Sequence, residues 1–170
     1  AVRKRLLQTV RYLREPSNIQ AYIINFMDRI YMEYKDLMAE ALKARKRAYT
    51  PYSHFNVGAA LLAADGRVYT GCNIENAAYT PSNCAERTAF FKAVSEGVLE
   101  FEAIAIAGGP AATDDLNVCA PCGVCRQVMM EFCDPKTFKV ILGKSSEDYK
   151  VYTLEEILPL GFGPKDLEEN

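Results

Sequence analysis

The chain has 170 residues, 49% of them apolar and 25% charged, with a formal net charge of −2. That is an ordinary globular composition, and one domain of this length buries roughly 70% of its unfolded surface. No run of about 18 apolar residues occurs, which argues against a membrane-spanning helix, and the slight acidity argues against gripping polyphosphate, because such binding runs on Lys and Arg displacing counterions. A small or uncharged partner is expected.

Residues 1–14 carry Arg3, Lys4, Arg5, Arg11 and Arg14 without one acid. A transit segment, a nucleic-acid arm and an added helix with a solvated basic face all fit this pattern; the added helix is the default, and residues 1–30 are set apart as an amino-terminal helical extension. Pro16-Ser17-Asn18 breaks it, and a second helical stretch is expected from about Ile19. Residues 31–170 form the main domain. Tyr34, Leu37, Met38, Ala41 and Leu42 follow the spacing of an amphipathic helix, which Thr50-Pro51 should end. Asn56 to Ala63 and Arg67 to Cys72 read as an antiparallel pair joined at Asp65-Gly66. Asn83 is the expected N-cap of a helix with Ala89, Phe90, Ala93 and Val94 on its inner face, running up to Gly97.

Ala103 to Ala107 and Phe138 to Leu142 are continuous apolar runs of strand length, suited to strands covered on both faces. Between them, Pro121 precedes a helix carrying Val128, Met129 and Phe132. Tyr149 to Tyr152 makes a fifth strand, and Thr153 with Glu156 forms a capping box for a short helix stopped by Pro159. The architecture expected is α/β, with helices packed on a mixed sheet.

The chemistry concentrates in Cys84, Glu86 and Pro121-Cys122-Gly123-Val124-Cys125. Three thiolates suit zinc and leave its fourth tetrahedral position open for water, which points to catalysis rather than scaffolding. Cys84 and Cys122 both fall at helix starts, and Cys125 lies one turn after Cys122. Helix N-termini favour thiolate over thiol. Glu86 has a bland reading, since Asn83 with Glu three residues later resembles a capping box. Its helical face decides against that: Glu86 shares the stripe of Ala89, Phe90 and Ala93, which turns into the core. An inward carboxyl beside a metal has a raised pKa and suits proton transfer.

Other readings of the six cysteines stay open at this point. They include disulfides, a redox Cys122/Cys125 pair, and a zinc ribbon with Cys72, Cys119 or Cys133 as fourth ligand. Disulfides need an oxidising compartment, and the amino end lacks the apolar core of a signal peptide. A reducing compartment, the cytoplasm, is expected. Cys72, Cys119 and Cys133 are read as packing or loop thiols, and His54 as shaping the turn before Phe55.

Cys84-Ala85-Glu86 with Pro121-Cys122-Gly123-Val124-Cys125 resembles the all-cysteine signature of the zinc nucleoside deaminases. The likeness extends to Pro51-Tyr52-Ser53-His54-Phe55, Val57-Gly58-Ala59-Ala60-Leu61, Gly71-Cys72-Asn73-Ile74-Glu75-Asn76-Ala77 and Cys125-Arg126-Gln127-Val128. From about Tyr34 onward the chain resembles the small homotetrameric cytidine deaminases. That resemblance implies a three-layer αβα sandwich with a five-stranded mixed sheet, one zinc per chain, and four active sites completed across subunit boundaries. It implies hydrolytic deamination of cytidine and deoxycytidine in pyrimidine salvage, with Cys84, Cys122 and Cys125 holding the metal and Glu86 shuttling protons. Asn73 and Glu75 would bind the ribose hydroxyls, Phe55 would wall the pocket, Ala85 would contact the substrate, and Tyr79 and Phe162 would come from neighbouring subunits. Arg87 is expected to donate to the sulfurs and temper their negative charge. Rival expectations are a polynucleotide-editing deaminase gripping through residues 1–14, a deaminase of another amino-substituted heterocycle, and a zinc-stabilised binding module without catalysis.

Overall fold

The computed structural model describes residues 32–167, so the expected helices before residue 31 lie outside the described residues. The elements in chain order are α1 (Tyr34–Arg45), β1 (Phe55–Ala63), β2 (Val68–Cys72), α2 (Ala85–Ser95), β3 (Phe101–Pro110), α3 (Gly123–Phe132), β4 (Lys139–Gly143), β5 (Tyr149–Thr153) and α4 (Leu154–Ile157), then a 3₁₀ turn at Pro164–Asp166. The five strands form one mixed sheet in the order β2-β1-β3-β4-β5. Only β3 and β4 run parallel; the other pairs are antiparallel.

Alternation along the central strands sorts their side chains onto two faces. Ala59, Leu61 and Ala63 of β1, Ile104 and Ile106 of β3, and Val140 and Leu142 of β4 join Ala89, Phe90 and Ala93 of α2 and Met129 of α3 in one buried core. Leu154 of α4 closes it, and Phe90 packs edge-on to Phe101 at 5.0 Å and stacks on Phe132 at 5.9 Å. The intervening residues face the other way, where α1 buries Leu37, Met38, Ala41 and Ala44. Helices on both faces of a sheet make the three-layer αβα sandwich expected from the sequence.

Two glycines set the closeness of the layers. A Cβ at Gly58 would collide with the Ala41 carbonyl and the Arg45 nitrogen of α1, and one at Gly71 would collide with the Ala85 carbonyl oxygen of α2. Backbone therefore rests directly on backbone at both positions.

Two local expectations need correction. α1 ends at Arg45, not at Thr50-Pro51, because the following chain leaves the helix to pair with the end of β2: Tyr49 N–H donates to Asn73 O and Glu75 N–H donates to Tyr49 O. The N-cap of α2 is Cys84, not Asn83, since Asn83 is held in an isolated antiparallel bridge with Ile74. The Asp65-Gly66 turn, with Gly66 at φ 82°, and the reciprocal Thr153–Glu156 capping box both form as expected.

Candidate active site

Cys84 and Cys122 occupy matching positions as the N-caps of α2 and α3, both in extended conformation and neither making a side-chain capping hydrogen bond to its helix. Their sulfurs are thus free to converge. Cys84 Sγ lies 3.9 Å from Cys122 Sγ, Cys122 Sγ lies 3.5 Å from Cys125 Sγ, and all three fall within 4.8 Å of one another. Sulfurs bound at about 2.3 Å to one tetrahedral ion stand about 3.8 Å apart, so the cluster has the spacing of a zinc cradle. No fourth Cys, His, Asp or Glu joins it among the described residues.

The cradle is anchored through backbone and guanidinium contacts. Thr88 Oγ1 donates to the Cys84 carbonyl at 3.0 Å and accepts from Asn83 Nδ2 at 3.2 Å. Arg126 donates from Nε to the Pro121 carbonyl and from Nη1 to the Ile157 carbonyl, tying the start of α3 to α4. Arg87 donates from Nη2 to the Ser82 carbonyl at 3.3 Å and reaches Cys84 Sγ at 3.7 Å. Hydrogen bonding from Cys125, and then from Arg87 and Cys122, pulls the Cys84 thiol down to about 5 against the cost of burial. One thiolate is therefore stable at neutral pH even before a cation arrives.

Glu86 is 4% exposed on the first turn of α2. Burial, reinforced by the negative charge of Cys84, pushes its carboxyl up to about 7. Since Asn83 is not the cap, the capping-box alternative has no geometry to support it. What remains is a titratable acid next to three thiols, poised to accept and release a proton near neutral pH.

Beside this centre, Asn73 laces the end of β2 to the start of β1: its Oδ1 accepts from Val57 N–H and its Nδ2 donates to Phe55 O, both at 2.8 Å. Glu75 Oε2 accepts from the Tyr52 and Ser53 N–H groups at 2.9 and 3.2 Å. The Ser53 hydroxyl and these amides hold the Glu75 carboxyl below its ordinary value, so it stays charged. The segment reaches the metal cradle through the Ile74–Asn83 bridge.

Comparison with known proteins gives this constellation a family. Residues 32–141 match the family described as the cytidine and deoxycytidylate deaminase zinc-binding region. The chain is 51% identical over 136 residues to a cytidine deaminase of Sporosarcina psychrophila, covering 80% of this chain and 96% of that one. It is 49% identical over 138 residues to a cytidine deaminase of Halalkalibacterium halodurans, covering 81% of this chain and all of that one. Among solved structures, a cytidine deaminase from Burkholderia pseudomallei superposes with a TM-score of 0.69 at 46% identity, over 77% of this chain and 100% of the other. The chain belongs to the zinc-binding cytidine and deoxycytidylate deaminase family. One zinc per chain fits the three thiols, and no helix among the described residues is long and apolar enough to cross a membrane.

The remaining residues expected from the deaminase resemblance lie at different depths. Phe55 opens β1 and is 40% exposed. Ala85 is fully buried at the first helical position of α2. Tyr79, at φ 57°, is 75% exposed and tilts against Tyr52 with ring centroids 6.3 Å apart. Phe162 is 58% exposed, and its carbonyl accepts from Gln127 Nε2 at 2.9 Å. His54 adopts φ 52° and donates its backbone N–H to Thr50 O, which matches its reading as a turn residue. Cys72 donates to the Arg47 carbonyl, and burial pushes the Cys119 thiol up to about 11.

Sequence reasoning passed over Arg45. It lies four residues after Ala41 and seven after Met38, on the apolar stripe of α1, and a basic residue on such a stripe is the signal that would have found it.

Proposed function

We propose that this chain hydrolytically deaminates cytidine and deoxycytidine to uridine and deoxyuridine with release of ammonia, as a homotetrameric cytoplasmic enzyme of pyrimidine salvage. The observation that carries the reading is a buried carboxyl, Glu86, on the helix turn that follows Cys84 in a three-thiol cradle. Zinc held by Cys84, Cys122 and Cys125 supplies Lewis acidity that lowers the pKa of water from about 15.7 toward about 7.

Protons are the work of Glu86. Its carboxylate takes one from the attacking water as the oxygen bonds to the 4-carbon of the pyrimidine, and delivers it to ring nitrogen 3. It then takes the remaining hydroxyl proton and passes it to the 4-amino group, so the C–N bond breaks, ammonia leaves, and the 4-carbon keeps a carbonyl. Three thiolates carry more negative charge than a dication neutralises, and the Arg87 guanidinium at Cys84 Sγ offsets part of that excess.

Binding falls to the neighbouring loop. Asn73 has one further N–H on Nδ2 and the Glu75 carboxylate has lone pairs beyond those its amide donors take, an amide donor and a carboxylate acceptor suited to ribose hydroxyls. A charged Glu75 there favours a free nucleoside over a phosphorylated one. Phe55 walls the pocket, Ala85 contacts the substrate, and Tyr79 and Phe162 complete the sites of adjoining subunits. Support for assembly comes from two exposed apolar pairs, Tyr49 bridged to Ile74 and Tyr52 against Tyr79, since apolar groups exposed together mark contact surfaces. All six cysteines are free, which suits a reducing compartment.

The test incubates the zinc-loaded chain with cytidine, deoxycytidine, cytidine monophosphate and a C-containing oligonucleotide, and measures ammonia. Release from the two nucleosides is expected. Absence of ammonia from both would refute the proposal.

A further inference from the structure

Arg45 and Glu86 are the two charged side chains buried among the described residues, and the deamination chemistry uses only Glu86. Arg45, the last residue of α1, is 4% exposed. Its Nη2 donates to three backbone carbonyls, those of Gly109 at 3.3 Å, Pro110 at 2.6 Å and Thr113 at 2.9 Å, and its Nη1 reaches Asp114 Oδ1 at 3.3 Å. Asp114 is 86% exposed and therefore screened, so carbonyl dipoles rather than an ion pair solvate the buried cation.

These acceptors share one location. Gly109 and Pro110 are the last residues of β3, where Pro110 pairs with Phe55 and Gly109 pairs with Asn56. The next residue, Ala111, donates its N–H to the carbonyl of His54, immediately before Phe55. The chain then turns through Thr113 and Asp114 and comes back beside β3, with Leu116 buried against Gly109 and Asn117 bridged to Gly108. One guanidinium thus gathers the end of α1, the end of β3 and the turn after it, directly behind the strand pair that presents Phe55.

We infer that Arg45 is a positioning residue for nucleoside capture: by clamping the carbonyls of Gly109, Pro110 and Thr113 it fixes Pro110 and, through the cross-strand pair, the Phe55 wall. The inference rests on the proposed deamination and on the place of Phe55 in it. The hydrogen bonds of Arg45 go to neither α2 nor α3, and the start of α3 is tied down separately by Arg126. Its loss therefore acts on substrate binding and spares the proton-transfer machinery. Lysine keeps the positive charge, but its shorter side chain ends in one nitrogen and has no second arm for Asp114, so it restores the clamp only in part.

The test compares steady-state deamination of cytidine by the zinc-loaded wild type, Arg45→Lys and Arg45→Met, with zinc per chain and thermal midpoint measured alongside. The expected result is a KM about tenfold higher for Arg45→Met and about threefold higher for Arg45→Lys, with kcat within about twofold and one zinc per chain retained. A lowered midpoint with unchanged KM would show a purely structural role and overturn the inference. A fall in kcat at unchanged KM, or loss of zinc, would overturn it equally. If Arg45→Met does not fold, Arg45→Lys decides on the same criteria. A wild type that releases no ammonia brings down the proposed function and this inference with it; an active wild type whose Arg45 variants keep its KM brings down this inference alone.

Discussion

Replacing Glu86 by Gln is the sharpest perturbation of the proposed chemistry, because it changes proton capacity and almost nothing else. The side chain is 4% exposed, and glutamine has nearly the same volume, so no cavity opens around it. Burial already holds the carboxyl near neutrality at about 7, so the charge removed is one the folded protein carries only at a cost. Stability should therefore change little, with a thermal midpoint within a few degrees of wild type. Turnover should not survive. The mechanism asks Glu86 for two successive transfers, to nitrogen 3 and to the departing amine, and general acid–base catalysis contributes about 10²-fold or more to each. Their product is a loss of about 10⁴-fold in kcat, or about 5 kcal/mol at 1.36 kcal/mol per decade. The assay is ammonia release from cytidine by the zinc-loaded variant, with zinc per chain measured on the same sample. A kcat within tenfold of wild type at one zinc per chain would refute the proton role. Zinc loss together with activity would show instead that Glu86 supports the cradle.

Cys122→Ala should abolish zinc binding and lower the thermal midpoint together, read by metal analysis and calorimetry; full activity with one zinc retained would overturn the ligand set. Arg87→Gln should keep the metal but lower kcat about tenfold, because the guanidinium no longer draws charge from Cys84. Gly71→Ala should destabilise the fold by about 1–3 kcal/mol in denaturant titrations and also depress kcat, since the new methyl collides with the backbone of α2. Thr153→Ala should cost about 1 kcal/mol through loss of the α4 cap. The Thr153 N–H and hydroxyl hold Glu156 below its ordinary value, so the stability that carboxylate lends is present above the unfolded pKa and is lost as pH falls through the lower folded one; the Thr153→Ala deficit should narrow in acid.

The strands were legible because their signals are local. Apolar runs such as Ala103 to Ala107 announce burial on both faces, and Asp65-Gly66 announces its turn. Glu86 was legible for the same reason: its place on the stripe of Ala89, Phe90 and Ala93 follows from helical periodicity alone. Long-range pairing defeated the local signals elsewhere. Asn83 has the stronger N-cap preference, but its bridge to Ile74 keeps it extended and passes the cap to Cys84, whose sulfur then has no helix amide to serve and turns to the cluster. α1 stops before Pro51 because Tyr49 bonds to Asn73 and Glu75, partners more than twenty residues away in sequence. Asn73 and Glu75 themselves were read for sugar recognition, and nothing in their neighbours shows that Asn73 also stitches the start of β1 and Glu75 the loop in front of Phe55.

Gly58 and Gly71 explain how such a small domain holds its functional side chains so firmly. Side-chain packing can relax by rotamer changes, but a helix backbone resting on a strand backbone has no such freedom. At Gly71 the contact falls on Ala85 and Ala89, the residues on either side of Glu86 along α2, so the sheet sets the depth of the carboxyl directly. At Gly58 it falls on Ala41 and on the backbone of Arg45, so the same device sets the guanidinium behind Phe55. The two buried charges are thus registered against β1 and β2, neighbouring strands joined by ladder hydrogen bonds over Gly58–Leu62. On this view a methyl group added at Gly71 should be felt in kcat and one added at Gly58 in KM, because each moves a different charge relative to the same sheet.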